Sequence, residues 1–199
     1  MQCREPRKKE DAMPKRKPSF NTIYISERVQ ECLRPIARCA LTTVVAPMGY
    51  GKTTAINWFL AEKTKGGKAI RMSIYSGSIP ILWRSAQDAF RYAGLDVLDA
   101  FDFPGDEASA GRVMEELCRT FSSGKTSYYL FLDDFHLLRD ERAVRFICRI
   151  STRLPENAHL IVASRDRFLP AGEIVRLGGN LNQIGMEQLR LNPTELAIY

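Results

Sequence analysis

The feature that most restricts how this chain can fold is the stretch Ala46-Pro47-Met48-Gly49-Tyr50-Gly51-Lys52-Thr53-Thr54. It sits between a short apolar, β-branched run at 41–46 and a helical pattern over 51–65. A strand that passes into a helix through two glycines must curl tightly, and glycine enters left-handed backbone at little cost. The curl aims successive N–H groups at one point, and the helix N-terminus behind them adds its partial positive charge. Such a cradle suits a phosphate. Lys52 can reach the β- and γ-phosphates of a nucleotide, the Thr53 hydroxyl can ligate Mg²⁺, and Thr54 can bond the α-phosphate. The order matches the Walker A pattern, with Ala46 standing for its first glycine. The expected binding set for ATP is Ala46, Pro47, Gly49, Tyr50, Gly51, Lys52, Thr53 and Thr54.

A site of this kind needs a carboxylate at the end of a neighbouring strand. Residues 128–132 are consecutive large apolar side chains, the pattern of a strand buried on both faces, and they run into Asp133-Asp134. Two charges ending so apolar a strand are costly unless they meet a cation or hydrogen-bond donors. Asp133 is therefore expected to join Thr53 in holding Mg²⁺, and Asp134 to orient and deprotonate an attacking water. The competing reading is a cap on the following loop or helix. His136, two residues on, reads either as a structural hydrogen-bonding residue or as a group coupled to the γ-phosphate. A further strand ends in Ser164-Arg165-Asp166-Arg167. Arg165 is expected to sense the γ-phosphate, against the rival reading of a surface arginine paired to Asp166 or Glu173. The expected catalytic set is Asp134, Lys52 and Arg165.

Around these motifs the spacing predicts a helix over 27–38 interrupted at Pro35, then helices over 51–65, 80–92, 110–121 and 143–154. Gly66-Gly67 is expected to end the second of these and Gly94 the third. Strands are expected at 41–46, 69–74, 128–132 and 160–163, with a short last one at 181–184. Residues 99–107 read as an acidic loop. Asn192-Pro193-Thr194-Glu195 has the chemistry of a helix start. Strands alternating with helices imply an α/β fold, a P-loop NTPase with a mainly parallel β-sheet flanked by helices.

A length of 199 residues allows one domain with a sizeable core. No apolar run approaches the roughly 18 residues that a membrane span needs, so a cytoplasmic location without a membrane partner is expected. Cys3, Cys32, Cys39, Cys118 and Cys148 are scattered and read as reduced thiols. The net charge of +6 is uneven: residues 1–18 carry seven basic and three acidic side chains, a net +4. The basic balance thus describes an arm and is weak evidence for a nucleic-acid-binding body. Residues 1–19 are expected to be a disordered basic tail, 20–190 the ATPase core, and 191–199 the start of a truncated following helical domain.

Three segments together, "APMGYGKTT" at 46–54, "FLDDFH" at 131–136 and "ASRDR" at 163–167, resemble the signal-transduction ATPases with numerous domains. The similarity is greatest to the ATPase core of large ATP-dependent LuxR-type transcriptional regulators of the maltose-regulator type. "ERVQECL" at 27–33, "PILWRSAQDAF" at 80–90 and "IGMEQLRLNPTELA" at 184–197 also resemble that family, and the likeness spans residues 22–199. Ser76-Gly77-Ser78 departs from the acidic, Asn-containing stretch usual there. The resemblance implies a nucleotide-dependent signalling switch with slow hydrolysis of ATP to ADP. It implies missing C-terminal domains or other protomers as partners, and DNA only through a helix-turn-helix outside this chain. The alternatives are a nucleotide-binding scaffold without useful hydrolysis and, less in keeping with the absence of an arginine-rich lid, a P-loop kinase.

Overall fold

A computed structural model describes residues 24–63 and 66–198. The expected disordered tail and Cys3 lie outside the described residues. The chain opens with α1, Glu27–Leu33, whose N-cap Ser26 accepts from the Val29 amide. At Pro35 the α-helix gives way to a 3-10 turn, Arg34–Ala37, because proline lacks the N–H that the ladder needs. Then follow β1 (Leu41–Val45), α2 (Lys52–Lys63), β2 (Gly67–Ser73), α3 (Ile79–Tyr92), α4 (Glu107–Ser122), β3 (Ser127–Asp133) and α5 (Glu141–Arg153). The last third holds β4 (Ala158–Ser164), α6 (Ala171–Leu177), β5 (Leu181–Gly185), α7 (Met186–Leu189) and α8 (Pro193–Ile198).

All five strands are parallel, in the order β2-β3-β4-β1-β5. Alternation along each strand divides the core into two layers. Tyr128, Leu130 and Leu132 of β3, with Leu160 and Val162 of β4, face α3, α4, α5 and α6. Tyr129 and Phe131, with Ile161 and Ala163, face α1, α2 and α7. Helix α2 buries Ala55, Ile56, Phe59 and Leu60, one stripe of a 3.6-residue period. Each such side chain, once fully buried, contributes about 1.5–3 kcal/mol for the larger residues.

Several boundaries differ from the sequence expectation, each for a local reason. Gly67 does not stop a helix; it is the first residue of β2, where a Cβ would lie 2.7 Å from the Ser127 carbonyl oxygen. The stretch 99–107 is loop up to the N-cap of α4, Asp106, whose carboxylate accepts from the Ser109 amide in a capping box. That loop is pinned rather than free: the Trp83 indole donates to the Phe101 carbonyl at 2.6 Å, and the Gln87 amide donates to Leu98 and Phe101. Two short helices, α6 and α7, have no counterpart in the sequence reading.

Candidate functional site

The site is built at the carboxyl ends of β1, β3 and β4. Beyond β1 the loop turns on Gly49 and Gly51, with φ of +87° and +71°, both in the left-handed region. A side chain at either would be strained. Lys52 is the first residue of α2 and is buried. Its ammonium donates to the carbonyls of Ala46 at 2.7 Å and Pro47 at 2.9 Å, so it folds back over its own loop. Burial lowers its pKa, Asp134 and Asp133 oppose that shift, and Arg165 adds to it. Lys52 is therefore within electrostatic range of the other three expected charged residues.

Asp133 reaches the loop by strand parity. Tyr129 and Phe131 face α2, and two residues further on Asp133 falls on the same side. The Thr53 hydroxyl, in the first turn of α2, donates to Asp133 Oδ2 at 2.8 Å. Here one expectation needs correction. The carboxylate-bearing strand is not the neighbour of β1, because β4 lies between them. The meeting still occurs because α2 leans across the sheet face that Asp133 shares. A hydroxyl and a carboxylate are hard oxygen donors of the kind Mg²⁺ takes. Among the described residues no group of three or more His, Cys, Asp or Glu could hold a metal unaided, so a cation at Thr53 and Asp133 would complete its shell with phosphate oxygens and water.

Asp134 adopts φ 58°, ψ 37° and is the one non-glycine residue with positive φ among those described. Aspartate tolerates this conformation better than most residues, and such strain is concentrated at functional turns. The kink separates the two carboxylates: Asp133 is buried and Asp134 is half exposed. The Asp134 amide donates to Asp133 Oδ1 at 3.0 Å. His136 is nine-tenths buried, with Nδ1 3.8 Å from Asp134 Oδ1, and neither ring nitrogen has a hydrogen-bond partner among the described residues.

Arg165 follows β4 and is exposed; its guanidinium approaches the sulfur of Met48, at the tip of the glycine loop, at 3.6 Å. The pairing with Asp166 or Glu173 does not occur among the described residues, and Glu173 instead bonds Arg176. A cleft of about 570 Å³ adjoins the loop, lined by Ala46, Pro47, Arg165, Arg167, Phe168 and Gly185 among others. Tyr50, within the loop, and Thr54, in the first turn of α2, are both half buried. The sequence places Arg28 in a helical segment and Glu195 in a helix start, but does not show the bond between them across 167 positions.

No protein-family model matches the chain. It is 29% identical over 182 residues to the HTH-type transcriptional regulator MalT of Yersinia pestis (strain Pestoides F). It is 30% identical over 181 residues to that of Yersinia enterocolitica serotype O:8. In both cases the match takes in 88% of this chain and 20% of the relative, so the chain spans about a fifth of the length of these curated relatives. Among solved structures it is similar to a chain in the Drosophila ORC complex with AT-rich DNA and Cdc6, with TM-score 0.52, 16% identity, 84% of this chain and 55% of that one covered. It is also similar to Cdc6p of Pyrobaculum aerophilum, with TM-score 0.51, 14% identity and coverage of 84% and 48%. With the parallel five-stranded sheet and the glycine loop between β1 and α2, these likenesses establish the fold: this is an α/β P-loop NTPase domain.

Proposed function

We propose that this chain is the ATP-binding regulatory core of a LuxR-type transcriptional regulator, a nucleotide-dependent switch reset by slow hydrolysis. The observation that carries the reading is the 2.8 Å bond between Thr53 and Asp133. It joins the glycine loop's helix to the end of the apolar strand, as a magnesium–phosphate site requires. The 29–30% identity to MalT regulators supports the regulatory half.

In this reading the loop amides from Gly49 to Thr53 bind the phosphates, and the Lys52 ammonium exchanges its bonds to Ala46 and Pro47 for phosphate oxygens. Thr53 and Asp133 would hold Mg²⁺, which when bound neutralises charge developing on the phosphates. Asp134 orients a water and accepts its proton, with His136 placed to steady that carboxylate. Arg165 swings from Met48 to the γ-phosphate and so distinguishes ATP from ADP. Further domains, or other copies of the chain, are the proposed partners that read the nucleotide state, in the cytoplasm.

Calorimetry with Mg–ATP tests the first half: a chain that does not bind ATP is not this switch. Single-turnover hydrolysis separates the switch from a scaffold. Hydrolysis within hours that is lost in Asp134→Asn supports the switch, whereas bound ATP that persists unhydrolysed points to the scaffold.

A further inference from the structure

Arg28 stands in the first turn of α1, yet all its polar contacts lie at the other end of the chain. Nε donates to Glu195 Oε1 at 3.3 Å and Nη2 to Glu195 Oε2 at 3.1 Å. Nη1 donates to the carbonyls of Gln188 at 2.8 Å and Glu187 at 3.5 Å, and Nη2 to that of Arg190. A guanidinium has five N–H bonds in a fixed fork, and here each has an acceptor. The carbonyls are those left without partners at the end of α7. One side chain thus caps α7 and pairs with α8.

Glu195 is equally committed. Its Oε2 accepts from the Asn192 amide at 2.7 Å, closing the cap of α8 together with the Glu195 amide and Asn192 Oδ1 at 2.8 Å. Glu195 is buried. The Arg28 guanidinium and the Ser26 hydroxyl beside it press its carboxyl down to about 2. Ser26 is also the N-cap of α1. Helix α1 shares one apolar cluster with α2 and α7: Val29 and Leu33 pack with Ile56, Phe59, Leu60 and Leu189. Helix α2 begins at Lys52 and Thr53.

We infer that Arg28 and Glu195 form a latch through which the position of α2, and hence occupancy of the glycine loop, sets the position of α7 and α8. The route is physical and short: Lys52 and Thr53 move with α2, α2 packs on α1, and α1 grips α7 and α8 through one fully bonded arginine. An ion pair that merely braced the fold would also tie α8 down, but its hold would be indifferent to nucleotide. The inference rests on the proposed nucleotide binding.

The test is hydrogen–deuterium exchange of the amides over 186–198 in the 199-residue chain, without nucleotide, with Mg–ADP and with Mg–ATP, beside calorimetry of ATP binding. In the wild type the segment is protected and its exchange changes when nucleotide binds. In Arg28→Ala its exchange rises by roughly tenfold or more, as loss of a charge-assisted contact allows, and nucleotide no longer alters it. By reciprocal linkage, ATP affinity in Arg28→Ala changes by no more than the factor by which nucleotide alters the wild-type exchange, far less than the loss from removing a group that touches the phosphates. Arg28→Lys restores part of the protection and part of the nucleotide response, since one ammonium reaches Glu195 but cannot fill the fork. Unchanged exchange in Arg28→Ala overturns the latch. Calorimetric binding of ATP with no change in exchange of the wild-type segment overturns the coupling alone. Absence of binding in calorimetry sinks the nucleotide reading and the coupling with it, while the exchange in Arg28→Ala without nucleotide still decides whether the two residues hold α7 and α8.

Discussion

The ends of β3 and β4 project from the same sheet toward the same loop, yet they deliver their charges differently. At β3 the delivery is by backbone: strand parity puts Asp133 on the α2 side, and Thr53 holds it at 2.8 Å. At β4 the delivery is by a long side chain: Arg165 is exposed, and its contact is the polarisable sulfur of Met48 at 3.6 Å. A group fixed by strand and helix needs no reorganisation to act, while one on a long exposed arm must be ordered by what it binds. In the proposed site, the β3 end therefore suits constant duties and the β4 end a contact that would be made only with a γ-phosphate.

The largest test of this contrast removes the group that both ends surround. Lys52→Ala is expected to reduce ATP affinity by at least ~100-fold, since a buried charge-assisted contact is lost. Calorimetry showing unchanged affinity would remove the basis for treating the two strand ends as one site. At the β3 end, Asp134→Asn should slow single-turnover hydrolysis by roughly 100-fold or more, the scale of a lost general base, while leaving Mg–ATP affinity nearly intact. Asp133→Asn should instead weaken the magnesium-dependent part of binding by about tenfold, read as affinity with and without EDTA. An exchange of these two phenotypes would mean that the roles are reversed.

At the β4 end the expected effect is smaller and of another kind. Arg165→Ala should narrow the ratio of ATP to ADP affinity by about tenfold, the scale of one charge-assisted bond, and leave ADP binding unaltered. Equal losses for both nucleotides would make Arg165 a brace and erase its difference from Asp133. The least effect on chemistry is expected from Gly67→Ala, which pushes a Cβ to 2.7 Å from the Ser127 carbonyl oxygen at the start of β3. It should cost about 1–3 kcal/mol of stability as overpacking, seen as a lower melting temperature with the ATP to ADP ratio unchanged. A changed ratio would show that β3 is not rigid enough to play the constant partner.

Much of the fold was legible because the relevant signals are local. Helix α2 repeats its buried positions every three or four residues, residues 128–132 of β3 are uniformly apolar, and Gly49, Gly51 and Lys52 mark a strand-to-helix turn within a few residues of one another. Helices α6 and α7 were not legible. With seven and four residues, they are too short to show a period. The loop before α4 was legible as a loop from its acidic side chains, but its anchoring was not, because the anchors at Trp83 and Gln87 come from another helix. Gly67 looked like a helix stop because a glycine forced by a neighbouring carbonyl and a glycine ending a helix are the same letter.

By itself, then, the sequence determined the residue types and local geometry that a phosphate cradle demands: left-handed glycines, a lysine at a helix start, a carboxylate pair closing an apolar strand and an arginine closing another. Those are properties of neighbouring residues, and short-range sterics and hydrogen bonding dictate them. Only the tertiary structure decided that β4 separates β3 from β1, that Asp133 meets Thr53 across that intervening strand, and that Arg28 spends all five of its N–H bonds on residues 187–195. The order of strands and the choice of distant partners follow from how whole faces bury together, a sum over many weak contacts that no local pattern records.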